Sequence, residues 1–596
     1  MAVDQSPMNK LITEHIDIWT SAVKTRSTSG RGSSKKLELY GVKKLRELIL
    51  ELAVRGKLVP QDPSDEPASV LLERIAEEKK RLVKDKLIPR TKGLPPINED
   101  EIPIDLPNGW TVVRLGELTS KLGSGSTPRG GKNAYTSEGI PFLRSQNVRN
   151  EGIKLDDIAY ISEEIHQKME NTKVLPGDVL LNITGASLGR STIFPSNLVE
   201  ANVSQHVTII RLIESQMNQF IHLGILSPLV QQLVWGRQVG MAIEGLSKKV
   251  LEMFEFPIPP IAEQHRIVAK VDELMALCDQ LEQQTETSIE AHQVLVTTLL
   301  DTLTNSADAD ELIQNWARIS EHFDTLFTTE ESIDQLKQTI LQLAVMGKLV
   351  PQDPSDEPAA ELLKRIAEEK AQLVKEKKIK KQKALPPIAE DEKPFELPSG
   401  WEWCKFGELS QFINGDRGKN YPNKNEYVSD GIPWINTGHI QPDGTLTTSD
   451  MNFITEEKFD SLRSGKIIPD DLVYCLRGAT FGKTAFVKPY VHGAIASSLM
   501  IIRLFDNKMN GFVYRYLTSA FGRSQIFRFD NGSAQPNLSA NSVGLYAFPC
   551  PPLEEQKRIV AKINELFEVC EQLQARIADA KSILLDLTDA IVEQAM

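Results

Sequence analysis

The sequence lacks the residue patterns of several common classes of protein. Its 596 residues include only five cysteines, Cys278, Cys404, Cys475, Cys550 and Cys570, which are odd in number and form no CxxC pair. That count argues against a zinc ribbon or a disulfide framework and favours reduced thiols. No apolar run is long enough to span a membrane, and the N-terminus MAVDQSPMNK has no signal-peptide pattern. These absences predict a cytoplasmic protein that does not contact a membrane.

Signatures of catalysis and of metal binding are also missing. The nine histidines show no HExxH or similar metal spacing, and no Pro-Pro pair follows the Asn or Asp of an amino-methyltransferase tetrapeptide. The segment GATFGKT at 478–484 resembles a P-loop, but it has three residues between its glycines where that motif needs four. We therefore predict a structural turn there, no catalytic residue and no metal site.

What the sequence does contain is a long duplication. Residues 52–68 are LAVRGKLVPQDPSDEPA and residues 343–359 are LAVMGKLVPQDPSDEPA, so an offset of 291 residues carries Gly56 onto Gly347. A solenoid would repeat at about 20 to 50 residues. Two such long repeats instead predict two copies of one recognition unit.

The offset continues along the chain and divides each half into corresponding parts. LPNGW at 106–110 recurs as LPSGW at 397–401, and PPIAEQ at 259–264 recurs as PPLEEQ at 551–556 after a slip of one residue. Each half therefore consists of a helix, a Pro-rich linker, a variable module and a second helix. The predicted segments are 1–109 (N-terminal helical region and linker), 110–262 (first module), 263–400 (central helices and linker), 401–553 (second module) and 554–596 (C-terminal helix).

The charge distribution allows a nucleic-acid partner despite a net charge of −13. The first module has 14 Lys and Arg against 14 Asp and Glu, and the second has 15 against 14. The acidic excess therefore lies on the helices and linkers, and any DNA-binding surface must be local.

The two modules are predicted to be short strands joined by loops rich in Gly, Ser and Asn. In the first module we expect strands at 111–115, 179–183 and 206–210, and a helix at 216–226. The loops carry polar and basic side chains that can bond base edges or phosphates, although an ordinary surface loop is the simpler account of any single residue. The candidate DNA contacts are Ser124, Thr127, Arg129, Lys132, Arg144, Ser145, Gln146, Asn147, Ser187, Arg190, Asn414, Arg417, Lys419, Asn420, Asn436, Thr437, His439, Arg477, Thr480, Asn531 and Gln535.

Helices are predicted on both sides of the modules. Upstream we expect a helix from about Leu39 to Gly56 and another from Ala68 to Lys86, the second capped by Ser64 or Asp65. Residues 1–35 are polar, and part of them is predicted to be a flexible arm. Downstream, apolar residues recur at alternating steps of four and three, the pattern of a coiled-coil seam. The seam residues are Ile267, Val271, Leu274, Cys278, Leu281, Ile559, Ile563, Leu566, Cys570, Leu573 and Ile577, continuing through Ala580, Leu584, Leu587 and Ile591.

This layout resembles the DNA-specificity subunit of type I restriction-modification enzymes. The resemblance covers nearly the whole chain beyond about residue 40. It is carried by PPxxEQxRIVAK at 259–270 and at 551–562 and by the duplicated block. It implies an α+β fold with two loop-rich mixed α/β target-recognition domains in tandem repeat, separated by long helices that form an antiparallel coiled coil.

The same resemblance implies a function. Each module would recognise one half of a bipartite site in double-stranded DNA, while the helices would set the spacing and dock partner subunits. The chain would have no catalytic activity and bind no cofactor by itself. The partners would be two adenine-N6 methyltransferase (M) subunits and ATP-dependent endonuclease/translocase (R) subunits, and these would bind S-adenosylmethionine, ATP and magnesium.

Two other classes of protein are compatible with parts of the pattern. A structural adaptor that does not bind DNA would also contain duplicated helices, but it would not need two divergent loop-rich modules of one size. A self-contained enzyme would show activity with S-adenosylmethionine or ATP in the absence of partners. A sequence-dependent DNA-binding assay distinguishes the first class, and incubation of the purified chain distinguishes the second.

Overall fold

The computed structural model describes residues 7–27, 35–90, 92–102, 104–238, 245–307, 309–477, 480–529 and 538–596. The chain divides into two units, one formed by Met1–Ser288 with Ala580–Met596 and the other by Ile289–Asp579. Each unit contains one copy of the repeat, with both helices and strands, and this confirms the predicted α+β class with two tandem mixed domains. Within the described ranges, no helix has the length and apolar character needed to cross a membrane.

The helices are α1 (Pro7–Glu14), α2 (Ile16–Ser21), α3 (Tyr40–Val54), α4 (Ala68–Lys84), α5 (Leu115–Leu118), α6 (Glu163–Lys168), α7 (Asn218–Leu226), α8 (Pro228–Gly236), α9 (Lys248–Glu252), α10 (Ile261–Thr304), α11 (Ala309–Glu321), α12 (Phe323–Leu326), α13 (Glu330–Val345), α14 (Ala359–Lys375), α15 (Phe406–Leu409), α16 (Glu456–Ser461), α17 (Asn510–Thr518), α18 (Ala520–Arg528), α19 (Ala540–Gly544) and α20 (Leu553–Ala595).

The strands of the first unit are β1 (Val23–Ser27), β2 (Lys35–Leu39), β3 (Thr111–Arg114), β4 (Thr119–Ser124), β5 (Ile140–Leu143), β6 (Val148–Arg149), β7 (Gly152–Ile153), β8 (Ala159–Ile161), β9 (Lys173–Val174), β10 (Val179–Asn182), β11 (Ser191–Ile193), β12 (Ala201–Val203), β13 (Val207–Leu212) and β14 (Glu255–Ile258). Those of the second unit are β15 (Glu402–Lys405), β16 (Ser410–Asn414), β17 (Ile432–Ile435), β18 (Asn452–Ile454), β19 (Lys466–Ile467), β20 (Leu472–Cys475), β21 (Thr484–Phe486), β22 (Gly493–Ile495), β23 (Leu499–Leu504) and β24 (Ala547–Cys550).

The two predicted modules, called domain 1 (110–262) and domain 2 (401–553) from here on, have the same sheet topology. Domain 1 has sheets in the order β11-β10-β13-β4 and β8-β5-β12-β9, and domain 2 has β21-β20-β23-β16 and β18-β17-β22-β19. A separate ladder, β3 with β14 and β15 with β24, pairs the first strand of each domain with its last. Each domain therefore begins and ends at one place, next to the helices of its own unit.

A glycine closes the first helix of each repeat for a steric reason. Gly56 follows α3 with a left-handed φ of +68°, and a Cβ there would lie 2.5 Å from Cγ of Pro107 and 2.9 Å from the ring of Trp110. Gly347 is equivalent, with φ +72° and Pro398 at 2.4 Å. Only glycine tolerates both the conformation and the contact, which explains why the glycine and the LPxGW motif recur together.

The predicted cap of α4 is wrong. The N-cap position is occupied by Pro67, and no side chain caps the helix. Ser64 Oγ donates to Asp62 instead (2.7 Å), and Asp65 accepts from Nη2 of Arg266 (2.6 Å). The competing partner, Arg266 at the start of α10, lies 201 residues away in the chain, so local spacing could not reveal it.

The sequence predicts a polar segment at 1–35, part of it a flexible arm, and the residues described there form regular structure. The described part forms α1, α2 and the hairpin β1–β2, in which Val23 pairs with Leu39. Trp19 is fully buried, and a Cβ on Gly41 would lie 2.3 Å from its carbonyl oxygen. The segment is ordered by this close packing against α3, while its own helices are too short to show a clear period.

The long helices α10 and α20 contain 44 and 43 residues. Each unit includes the first part of one long helix and the last part of the other. In the first unit, Tyr40 Oη donates to Asp589 near the end of α20 (2.7 Å). In the second unit, His292 on α10 bonds to Leu326 O (3.0 Å).

The predicted seam residues lie mostly on the buried faces of α10 and α20. The fully buried or nearly buried ones are Ile267, Val271, Leu274, Cys278, Leu281, Ile559, Ile563, Cys570 and Leu573, whereas Leu566 and Ile577 are partly buried. Burial raises the pKa of the Cys278 thiol to about 11 and also raises the pKa of Cys570. Both thiols are therefore protonated packing groups at neutral pH.

The seam prediction is wrong at two positions in the second half of α20. Ala580 is exposed, and Leu587 is 42% exposed with Thr588 fully buried beside it, whereas Ile591 is buried as predicted. A helix with 3.6 residues per turn drifts relative to a strict seven-residue repeat, so single positions of the seam turn towards solvent.

Candidate nucleic-acid interface

The ends of four strands of domain 1 converge at one edge. β4 and β10 both pair antiparallel with β13 and so run in the same direction, while β5 and β12 are parallel neighbours. Ser204 N donates to Leu143 O (2.9 Å), and Asn182 Nδ2 donates to Ser145 O (2.8 Å). The loops that follow the four strands therefore form one surface, called the loop edge from here on.

Three of these loops are joined by a chain of polar side chains. Thr127 Oγ1 donates to Gln205 Oε1 (3.3 Å), Gln205 Nε2 lies 3.5 Å from His206 Nε2, and His206 Nδ1 lies 2.7 Å from Thr184 Oγ1. The hydrogen-bonding role of each ring nitrogen depends on the tautomer of His206. The chain presents donors and acceptors at the surface, as contact with base edges requires.

Gln205 and His206 are absent from the sequence-based candidates. They lie in the tight turn between β12 and β13, and the sequence pattern predicted His206 to be a strand residue. The sequence signal for a turn is weak at this place because the turn contains no glycine or proline. Its position is set by Gly125, whose added Cβ would lie 1.8 Å from Val203 O, so the loop after β4 rests directly against the turn.

Domain 2 repeats the backbone of the loop edge with other side chains. A Cβ on Gly415 would lie 2.4 Å from Ala496 O, the counterpart of the contact at Gly125. The parallel pair of Trp434 with Ala494 matches that of Phe142 with Asn202, and this alignment places Ser497 and Ser498 where domain 1 has Gln205 and His206. The two domains therefore share the backbone frame and differ in the side chains of this turn.

The predicted contacts in the loop after β5 differ in their exposure to solvent. Arg144 Nη2 donates to Asp157 O (2.7 Å) and Gln146 Nε2 donates to Asp157 Oδ2 (2.9 Å), and both side chains reach solvent. Asn147 is fully buried, where its Oδ1 accepts from Arg144 N and its Nδ2 donates to Lys154 O, each at 3.0 Å. Asn147 therefore shapes the turn, and its amide is not available to a base.

A similar arrangement occurs after β17 in domain 2. Asn436 Oδ1 accepts from Gly438 N (2.8 Å), and Nδ1 of His439 accepts from Asn436 N (3.2 Å). His439 is 5% exposed, and burial lowers its pKa. Its ring is therefore neutral at pH 7 and stabilises the turn from inside.

The other predicted contacts divide by exposure. Exposed are Ser124, Thr127, Arg129, Lys132, Asn414, Arg417 and Lys419; partly buried are Ser145, Ser187, Arg190, Asn420, Thr437, Arg477 and Thr480. Asn531 and Gln535 lie outside the described residues.

The P-loop-like segment at 185–191 and residues 480–484 of the one at 478–484 lie at turns of β-hairpins, whereas Gly478 and Ala479 lie outside the described residues. Gly189 N donates to Asn182 O and Gly482 N donates to Cys475 O, with left-handed φ angles of +83° and +78° at the two glycines. They close the antiparallel pairs β10–β11 and β20–β21, whereas a P-loop joins a strand to a helix. The prediction of a structural turn is confirmed.

A buried carboxylate fixes domain 1 to its helical frame. Glu263, in the first turn of α10, accepts from Trp110 Nε1 (3.1 Å) and Gln61 Nε2 (3.3 Å). Burial raises the pKa of Glu263, and the two hydrogen bonds oppose that rise. Glu555 is equivalent in domain 2: it accepts from Gln352 (3.1 Å), and burial raises its pKa as well.

Comparisons with known proteins cover both repeats. The family model described as the type I restriction modification DNA specificity domain matches residues 107–291 and 398–580. The chain is 42% identical to the specificity subunit of the type I restriction enzyme EcoAI of Escherichia coli, and also 42% identical to that of EcoEI of Escherichia coli. Each match covers 99% of this chain and 100% of the relative. A chain in a solved type I R-M system structure aligns with 82% of this chain and 98% of its own, at 18% identity and a TM-score of 0.48, too remote to support any assignment.

Proposed function

The chain belongs to the family of type I restriction enzyme specificity subunits, and from that premise we propose how it recognises DNA. Each domain binds one half of a bipartite site in double-stranded DNA through its own loop edge. The long helices set the distance between the half-sites. A change at one loop edge therefore alters one half of the target.

The observation that carries this proposal is that one backbone frame holds two different sets of side chains at the loop edge. Gly125 and Gly415 hold their loops in the same way, whereas Gln205 and His206 correspond to two serines. Gln bonds adenine in two places and His adds a ring donor or acceptor, while Ser accepts or donates with little selectivity. Two readers of different half-sites need this combination.

The partners follow from the same premise. We propose that two methyltransferase subunits and the endonuclease/translocase subunits dock on the helices, which carry the acidic excess of the chain. S-adenosylmethionine, ATP and magnesium are assigned to those subunits, and this chain contributes specificity and no chemistry. The proposed place of action is the cytoplasm.

The test exchanges the turn of one domain for that of the other. The variant Gln205→Ser with His206→Ser, assembled with its partners, is expected to relax or change one or two positions in one half-site, at about 1 to 3 kcal/mol per base read. Methylated sites mapped across the DNA of cells that carry the system provide the measurement. The reciprocal variant, Ser497→Gln with Ser498→His, is the matched control and should affect only the other half.

Three results would contradict the proposal. A change in both halves would remove the assignment of one half-site to each domain. No change in either half, with normal methylation, would remove the turn from base recognition. Loss of sequence dependence without any change in DNA affinity would favour an adaptor whose specificity resides elsewhere.

A further inference from the structure

Two large aromatic side chains are exposed at corresponding places in the two domains. Trp235 at the end of α8 is 54% exposed, and Phe527 at the end of α18 is 65% exposed. An offset of 292 residues relates them, and both helices begin with a serine cap: Ser227 Oγ accepts from Val230 N, and Ser519 Oγ accepts from Gly522 N. The two rings therefore occupy one structural position.

A single exposed apolar residue carries little meaning, because much of any protein surface is apolar. The preceding exposed position differs between the two helices, because α8 has Gln232 where α18 has Ser524. The next position exposed in both helices has an aromatic ring in each. Trp and Phe both have a flat apolar ring, but only Trp has a hydrogen-bonding group. What the two positions have in common is therefore the ring, which indicates contact through its face or edge.

The helices that carry the two rings contact the same loop of the loop edge. In domain 2 the ring of Phe527 meets that of Phe481 edge-on at 6.1 Å, and Phe481 is in the turn between β20 and β21. In domain 1, Gln231, one helical turn before Trp235, donates to Gly189 O in the equivalent turn (2.9 Å). Each ring is thus carried by a helix that adjoins the surface assigned to DNA.

The charge around the rings has the sign that DNA requires. The segments that carry the rings and the adjoining turns contain no Asp or Glu, in a chain whose net charge is −13. Arg237 and Arg528 are ion-paired within the chain, to Glu255 and Asp391. In domain 1 the turn 184–190 contains Arg190 and the helical segment 228–238 contains Arg237. In domain 2 the turn 477–483 contains Arg477 and Lys483, and the helical segment 520–529 contains Arg523 and Arg528.

We propose that Trp235 and Phe527 are DNA-stacking residues, each packing its ring against a nucleotide at the margin of its half-site. The contact is independent of sequence, since every base offers a π-face, and apolar rings of this kind wedge at base steps in other DNA-binding proteins. Arg190 and Lys483, at equivalent places in the turns, neutralise the neighbouring phosphates. This assignment rests on the proposed function and adds a second class of contact to it, common to both domains.

The experiment uses the complex of the chain with its partner subunits and duplexes that contain the mapped target. Trp235→Ala is expected to weaken DNA binding by the complex about 5- to 100-fold, on cognate and non-cognate duplexes alike, because one base loses its stacking contact with the ring. A 2-aminopurine placed at successive positions along the duplex should lose its binding-induced fluorescence change at the margin of one half-site only. Phe527→Ala should do the same at the other half-site.

Two matched variants keep the result interpretable. Trp235→Phe retains a ring and should restore most of the affinity. Val199→Ala alters another apolar side chain, 83% exposed in domain 1, and should leave binding unchanged.

Several outcomes would overturn the proposal. Unchanged affinity of Trp235→Ala would exclude a DNA contact. Loss of assembly with the partner subunits, measured by sedimentation, would make the ring a protein-docking group. Altered base preference in the methylation map would make it a base reader. The failure of the proposed function would be seen separately, in the exchange of the turn at 205–206, which leaves both rings in place.

Discussion

The substitution Asp471→Ala is expected to weaken domain 2 and spare domain 1. The Asp471 side chain is 1% exposed and accepts from Arg503 Nε (2.9 Å), Arg503 Nη2 (2.7 Å) and Ile468 N (2.8 Å). Removing one member of a buried ion pair costs about 3 to 5 kcal/mol. Arg503 is 28% exposed and also donates to Lys466 O, so we expect the low end, about 3 kcal/mol. Domains are stable by about 5 to 15 kcal/mol, so domain 2 should remain folded but open more often.

The assay is native-state hydrogen exchange, which follows each domain separately. The protection of the β20 and β23 amides against hydrogen exchange should fall about a hundredfold, the factor that corresponds to about 3 kcal/mol. The protection of the β10 and β13 amides should not change. Asp178→Ala is the control, because Asp178 makes the same bonds to Arg211 at 2.8 and 2.7 Å, and it should reverse the pattern. An equal loss in both domains, or a loss below about 1 kcal/mol, would refute the reasoning.

Three further results are expected. Exchanging residues 110–262 for the same module of a relative should change one half of the methylated target, and a change in both halves or in neither would contradict modular recognition. Glu263→Gln should gain stability relative to the parent as pH rises. Burial raises the pKa of Glu263, so the contribution of Glu263 to the free energy of unfolding is present below the pKa of an unfolded glutamate, about 4.3, and is lost as pH rises through the pKa in the folded protein. Urea unfolding of the parent and the variant at acid and neutral pH measures this effect. A difference in stability between the two proteins that does not change with pH would contradict it. Inserting four residues near Gln283, roughly 6 Å of helix, should lengthen or shorten the gap between half-sites by about one or two base pairs of 3.4 Å each. Selection from a library of gap lengths measures it, and an unchanged gap in an active variant would remove the role of the helices as a spacer.

Much of the secondary structure could be predicted from local patterns. The predicted helix at 216–226 is α7, two residues shorter at its start, and the predicted strands at 111–115, 179–183 and 206–210 are β3, β10 and β13 within two residues at each end. The match arises because β-branched and apolar runs bounded by turns, and a period near 3.6, are properties of adjacent residues. The candidate loops were found for the same reason, since Gly, Ser and Asn mark turns.

The candidate site could be predicted only in part. The loops after β4, β5 and β10 were expected to carry contacts, and the structure brings them to one edge. Within them, the sequence could not distinguish Asn147, which is buried in its own turn, from Gln146, which is exposed. Adjacent polar residues look alike until the direction of each side chain is known.

The sequence by itself determined the duplication, the seams and the family, because these depend on residue identity and on spacing along one chain. Only the tertiary structure decided that Gln205 and His206 join three loops, that Asp65 binds Arg266 rather than capping α4, and that Trp235 and Phe527 are exposed on helices that contact equivalent turns. Each of these depends on strand order or on partners tens to hundreds of residues away. Strand order and long-range pairing are set by the packing of whole sheets and helices, which no local period records.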